Sequence, residues 1–310
     1  MDAFAGLLDG PRARHAFLLR LLLEPPWSIW VDDRAALALV ATLRGEAWIT
    51  PSGMEPVRLA MGEVAIVRGP EPYAFADPPG TPTQVVALPG GLCTSTTGES
   101  VLDSLRRGAR TMGNTADGPT EVLIGTYEHV NELGGRLLAA LPSLLVVPAS
   151  DLGAPLVDLL AAEIDKESPG QQVVLDRLLD LLVVAALRTW FAGADDAPGW
   201  FRANADPVVG PALRLLQDNP THPWSVAGLA AEVGASRATL ARRFTELVGE
   251  PPMTYLTERR LALAADLLKE PGTTVGAVAR QVGYANPFAL SAAFKRVHGF
   301  SPRDYQRRTA

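Results

Sequence analysis

The chain has 310 residues, 47% of them hydrophobic and 20% charged, enough to bury two ordinary domain cores and too apolar to be disordered. Its one cysteine, Cys93, excludes an internal disulfide and a Cys-rich zinc module, and it suits a reducing compartment. The net charge of −6 argues against a nucleic-acid partner for the chain as a whole, yet the charge is unevenly spread. From Trp200 onward 14 Lys and Arg stand against 9 Asp and Glu; before it, 14 stand against 25. Such asymmetry implies two jobs, and the basic part is the candidate for touching phosphate.

The N-terminal stretch MDAFAGLLDGPRARH has acids and a proline where a signal peptide needs a basic start and an apolar run, so a cytoplasmic protein is expected. Residues up to about Val147 read as mostly β. Strand-like runs cover Ala35–Val40, Glu46–Thr50, Val64–Val67, Thr83–Leu88 and Glu121–Tyr127, separated by Gly- and Pro-rich turns such as TPSGMEP and DPPGTP. Short strands so spaced predict a sandwich or barrel. From Asp151 the period changes. APLVDLLAAEI and QQVVLDRLLDLLVVAALRTWF place apolar residues at helical spacing, with SPGQ breaking between them, which predicts a helical hairpin. The longest apolar run, Leu178–Leu187, is interrupted by Asp180 and bounded by Arg177 and Arg188. It is too short to span a bilayer and reads as a buried helix. Phe191–Pro207, FAGADDAPGWFRANADP, breaks the helical period and reads as a linker.

Beyond that linker the sequence repeats itself. Val226, Leu229, Ala230 and Val233 recur 49 residues later as Val275, Val278, Ala279 and Val282, and each run ends at a glycine, Gly234 or Gly283. The offset then becomes 50: Leu240 and Leu290, Phe244 and Phe294, Leu247 and Val297, Gly249 and Gly299, Pro252 and Pro302, Tyr255 and Tyr305. Each copy reads as a helix, a tight turn begun by glycine and a second helix, with Ser236 and Asn286 as N-caps and Pro287 at a first helical position. A helix-turn-helix has this layout, and its second helix enters the major groove of DNA. At about 100° per residue, Leu240, Phe244 and Leu247 form the expected buried stripe of one copy, and Leu290, Phe294 and Val297 that of the other. Ala238, Arg242 and Thr245 then face outward, with Thr239 and Ala241 beside them. In the second copy Phe288, Ala292 and Lys295 face outward, with Ser291 and Ala289 beside them. Small residues there let the backbone approach base edges, and Arg242 can donate a bidentate pair to guanine. Between the copies, Thr254–Glu270 reads as one amphipathic helix. It would hold two recognition helices rigidly for successive major grooves, about 34 Å apart.

At these residues the C-terminal part, Asp206 to Arg308, resembles the DNA-binding domain of the AraC/XylS family of transcription regulators; VGYANPFALSAAFKRVHGFSPRDY is similar to that family's signature. The N-terminal part more loosely resembles the cupin-like sensor of one branch of the family, in LLRLLLEPPWSIWVDD, LRGEAWIT and LLAALPSLLVV. The resemblance implies an α+β two-domain protein. Its residues 1–195 would form a cupin-like β-barrel with a helical hairpin, for effector sensing and dimerisation, and residues 206–310 an all-α tandem helix-turn-helix. In the family the outward positions of both recognition helices read bases. The DNA-contacting set expected here is Arg237, Ala238, Thr239, Ala241, Arg242, Asn286, Pro287, Phe288, Ser291, Ala292, Lys295 and Arg296. Several are small or apolar where the family often has polar side chains, so no base preference carries over.

A cupin enzyme would need clustered histidines with a carboxylate. The four histidines are His15, His129, His222 and His298; the last two lie in the DNA-binding part, and Glu71–Pro79 lacks a His-x-His. No Walker loop, dinucleotide fingerprint or nucleophile elbow is present either. The expectation is therefore no catalysis, no cofactor and no metal. Trp27, Trp30, Trp48 and Tyr73 are candidates to line an effector cavity, against the plainer reading as core. Cys93 is a candidate redox or electrophile sensor, against the plainer reading as a small buried hydrophobe. The expected protein is a sequence-specific regulator of transcription, an activator, controlled by a small molecule through the barrel. Its expected partners are double-stranded DNA, a second copy of itself, an organic effector and RNA polymerase, with no membrane.

Overall fold

The structure, a computed structural model, describes residues 17–128, 132–152, 155–193, 197, 199–270 and 272–309. His15 and His129 lie outside them, as do parts of the expected linker. The chain divides into two compact units, one of Pro11–Val130 with Leu138–Gly193, the other built mainly on Ala194–Ala310.

The first unit carries twelve strands among the described residues: β1 Phe17–Leu23, β2 Trp27–Val31, β3 Leu37–Arg44, β4 Glu46–Pro51, β5 Val57–Ala60, β6 Glu63–Arg68, β7 Tyr73–Asp77, β8 Val85–Leu88, β9 Leu92–Thr94, β10 Thr111–Gly113, β11 Thr120–Tyr127 and β12 Leu144–Pro148. Two short helices fall between these strands in the chain: α1 Leu102–Leu105, and α2 Glu132–Ala139, most of which groups with the other unit. The strands form two six-stranded sheets, in the orders β10-β1-β11-β3-β6-β12 and β5-β4-β7-β2-β8-β9. The five strands expected from sequence are all present, with ends shifted by up to four residues. The period-2 alternation sorts side chains cleanly. Leu19, Leu21, Ala38, Val40, Ala65, Val67 and Val122 from one sheet meet Trp27, Val31, Ala47, Ile49, Leu59, Tyr73 and Phe75 from the other in one core.

The opposite face of the first sheet is buried too, as the unbroken burial of Leu37–Thr42 shows. The expected hairpin covers it: α3 Leu156–Ile164 and α4 Gln171–Gly193. Leu175, Leu179, Leu182, Ala186 and Leu187 of α4 are fully buried. The approach is so close at Gly125 on β11 that an added Cβ would stand 2.5 Å from Leu179 Cδ1. Polar contacts fix the hairpin's register. The Tyr127 hydroxyl donates to Asp180 Oδ1 at 3.0 Å, so the acid that interrupts the apolar run has a structural partner. Arg20 on β1 donates to Asp165 at 2.8 Å and to the Ala161 carbonyl at 2.9 Å.

The second unit is helical: α5 Gly199–Ala203, α6 Val209–Asp218, α7 Val226–Glu232, α8 Arg237–Val248, α9 Pro252–Leu268, α10 Val275–Gln281, α11 Pro287–His298 and α12 Pro302–Thr309. Helix α9 belongs to two cores at once. Leu256 packs with Leu229, Leu240 and Phe244, while Leu261, Ala264, Ala265 and Leu268 pack with Val278, Leu290 and Phe294. Each buried Phe contributes about 1.5–3 kcal/mol, so one helix is held at both ends by comparable apolar anchors.

Two expectations need correction here. Val297 is not buried but 47% exposed. Ala293, at 8% exposure, completes the stripe beside Leu290 and Phe294, and His298 stacks on Phe294 with ring centroids 4.2 Å apart. The expected linker is also partly folded. Helix α4 continues to Gly193, and α5 starts at Gly199. An added Cβ at Gly199 would stand 2.1 Å from the Leu247 carbonyl oxygen, so α5 lies directly on the end of α8. Asp206 accepts from Val208 N–H at 2.9 Å and Val209 N–H at 2.8 Å, opening α6. It also pairs with Arg243 of α8. Burial works against the ionised form of Asp206, yet these backbone and guanidinium hydrogen bonds together hold its carboxyl below the usual range.

Candidate functional site

The two copies of the repeat are built alike in space. Ser225 and Thr274 cap α7 and α10, accepting from Gly228 N–H at 3.0 Å and Ala277 N–H at 3.2 Å. Ser236 and Asn286 cap α8 and α11, accepting from Thr239 N–H at 3.1 Å and Ala289 N–H at 2.9 Å. The glycines that end the recognition helices have φ of 92° at Gly249 and 82° at Gly299, a left-handed conformation that other residues adopt only with strain. Each copy also carries the same edge-on aromatic pair. Phe244 meets Tyr255 at 5.8 Å and 69°, and Phe294 meets Tyr305 at 5.5 Å and 69°.

On these frames the expected DNA-contacting residues divide by exposure. Arg237, Ala238, Arg242, Asn286, Pro287, Phe288, Ala292, Lys295 and Arg296 are exposed; Thr239, Ala241 and Ser291 are half-buried. Phe288 is 84% exposed, at the N-terminal end of α11, where a recognition helix meets base edges. The side-chain oxygen of Asn286 is already committed to its cap. Arg242 is paired with Glu246 one turn on, at 2.8 and 2.9 Å. Exposed i,i+4 pairs contribute only about 0.2–0.5 kcal/mol, so exchanging Glu246 for a base costs little. The sequence reading passed over Glu246, although its spacing from Arg242 was the signal.

The first unit holds a partly open apolar cavity of about 130 Å³ between its sheets. Of the four aromatic candidates, Trp27 and Tyr73 line it; Trp30 and Trp48 do not. The strand period explains the difference. Ile29 and Val31 on β2, and Ala47 and Ile49 on β4, face the core, which turns the alternate residues Trp30 and Trp48 to the other face. Cys93 lines the cavity as a free thiol, and burial pushes its pKa up. That environment keeps it protonated, the opposite of what a thiol sensor needs. Asp33 and Glu128, also in the lining, were not singled out in the sequence. Burial raises the Asp33 carboxyl, with Asp32 and Glu128 adding repulsion. Burial likewise raises the Tyr73 phenol, with Asp33 beside it. Among the described residues no group of three His, Cys, Asp or Glu could hold a metal ion.

Comparison with known proteins decides the family. A family model described as Cupin matches residues 2–192, and one described as Helix-turn-helix domain matches residues 229–308. A Streptomyces antibioticus protein named as an AraC-like transcription regulator is 32% identical over 99% of both chains. The chain belongs to the AraC-like transcription regulators. This AraC-like chain is also similar to the HTH-type transcriptional regulator AlkR of Acinetobacter baylyi, 26% identical over the full length of both. A solved DNA-binding domain, that of AdpA in complex with a target DNA, is 33% identical, with a TM-score of 0.31, covering 34% of this chain and 93% of that one. The tandem α7–α8 and α10–α11 units are the helix-turn-helix part of this AraC-like regulator, and the two-sheet unit is its cupin-like part. Among the described residues no helix is long and apolar enough to cross a membrane.

Proposed function

We propose that this AraC-like regulator reads its operator through the outward faces of α8 and α11, and that a small organic molecule in the two-sheet cavity sets its affinity for that operator. The observation that carries the first half is the duplicated frame. Caps, terminal glycines and Phe–Tyr pairs match between copies, and α9 is anchored in both cores. A rigid frame of that kind presents two helices to successive major grooves on one side of the duplex. The apolar cavity between the sheets supports the second half.

The protein acts as a homodimer in this reading. Leu159, Val173, Val174 and Leu181 of the hairpin are 43–62% exposed, and Val174 and Leu181 lie two turns apart on one helical face. An isologous pairing of two hairpins would cover them. Sedimentation of the full chain tests this: wild type runs as a dimer, and Val174→Glu with Leu181→Glu runs as a monomer. A wild-type monomer at tens of micromolar removes the dimer from the proposal. The central test is a footprint of the purified protein on the DNA upstream of its own coding region, with and without small metabolites. The expected footprint covers two adjacent major grooves per protomer and changes with an organic molecule, in the presence of chelator. Binding that is equal on all duplexes overturns the reading.

A further inference from the structure

The cavity is mostly apolar, and its charge has one sign. Among the described residues lining it, the charged ones are Asp33 and Glu128, both acids. Asp33 accepts backbone hydrogen bonds, from Ala35 N–H at 3.0 Å and from its own N–H, and among the described residues no side chain donates to it. The neighbouring Arg34 is no counter-ion for it: that guanidinium is 74% exposed and leans toward Asp32 at 3.8 Å. Tyr73, opposite Val31 in the sheet, is 6% exposed and adds an aromatic face with a hydroxyl at the same end. Burial already disfavours the Asp33 carboxylate, so a cation beside it would restore its charge and gain a poorly hydrated partner. An anion placed there would meet like charge. The aromatic ring face is likewise attractive to cations. In size the cavity is close to an engineered protein cavity of about 150 Å³ that binds benzene.

We propose that the cavity takes a small lipophilic cation, a single ring or short alkyl chain bearing a protonated amine, with the ammonium at the Asp33 and Tyr73 end. This rests on the reading of the cavity as the ligand site and gives that ligand a charge. Acidic and neutral apolar compounds of the same shape are the disfavoured classes.

The test uses the full-length protein at pH 7 with three probes of one shape: benzylamine, benzyl alcohol and benzoate. Quenching of tryptophan fluorescence, to which Trp27 in the cavity wall contributes, and the shift in melting temperature report binding. The expected order is benzylamine first, about tenfold tighter than benzyl alcohol, and benzoate last. Asp33→Asn should bring benzylamine down to the level of benzyl alcohol and leave benzyl alcohol unchanged. Should that variant not fold, the wild-type order decides the matter by itself. Benzyl alcohol or benzoate binding as tightly as benzylamine overturns the cation preference and leaves the ligand site standing. No response to any of the three at millimolar concentration overturns the ligand site and the cation preference together.

Discussion

Helices α8 and α11 are copies of one part, and they differ where they face away from the protein. At the fifty-residue offset, Arg242 corresponds to Ala292, Ala238 to Phe288, and Thr245 and Glu246 to Lys295 and Arg296. Inward, Leu240 matches Leu290 and Phe244 matches Phe294, all fully buried. Packing density punishes any change of volume inside, while the outer face answers only to what binds it. The first copy therefore presents an arginine at its centre, suited to a guanine edge. The second presents an aromatic ring and alanines, suited to thymine methyl groups, with its cations gathered at the C-terminal turn.

The largest effect expected is common to both copies. Phe244→Ala and Phe294→Ala should each destabilise the protein by about 3–5 kcal/mol, by equal amounts within experimental scatter, as read from urea midpoints. A markedly cheaper loss in one copy would show that the frames are not equivalent.

The outer faces should respond unequally. Arg242→Ala should reduce discrimination between operator and random DNA by about 1–3 kcal/mol, whereas Lys295→Ala or Arg296→Ala should weaken all duplexes alike and reduce the salt slope by about 0.9 per lost phosphate contact. Competition binding over a salt series separates the two behaviours. Phe288→Ala should weaken operator binding without altering the salt slope, because an apolar contact releases no counter-ion. Operator half-sites carrying uracil for thymine should reproduce that loss in the wild type and not in the variant.

The caps come next. Ser236→Ala and Asn286→Ala should each cost about 1 kcal/mol in thermal unfolding, again alike in the two copies. The brace between Asp206 and Arg243 has no equivalent in the second copy, where Ala293 replaces the arginine. A carboxyl held low in the folded state stabilises above its unfolded value, about pH 3.9, and that contribution fades as pH falls through the folded value. Asp206→Asn should therefore be less stable than wild type at pH 7. The gap should close below about pH 4, and a gap unchanged there would remove the carboxylate from the account.

The tandem units were legible because their packing residues are large and regularly spaced. Phe, Tyr and Gly at matching offsets leave few other folds. Asp206 was hidden because its neighbours Ala205 and Pro207 read as linker, while its partner lies 37 residues away. In the first unit, FLLRLLL of β1 and LLVVP of β12 were not distinguished as strands, since both faces of that sheet are buried and the alternation that marks a strand is lost. In β2 the apolar residues Trp27, Ile29, Trp30 and Val31 fall on both parities, so the spacing could not say which tryptophan met the cavity. Asp33 had no signal at all, because its meaning comes from Tyr73 and Glu128, which the sheet brings to it.

Strand β11 stands between the cavity and the hairpin with nothing interposed on either side. Ile124 and Thr126 line the cavity, while the alternate residues Gly125 and Tyr127 touch Leu179 and hold Asp180 on α4. The two-residue period thus sets alternate side chains of one strand against the cavity on one face and against α4 on the other. The fit is close at Gly125, where backbone and leucine are already in contact. A methyl group there would force Leu179 or the strand itself to give way.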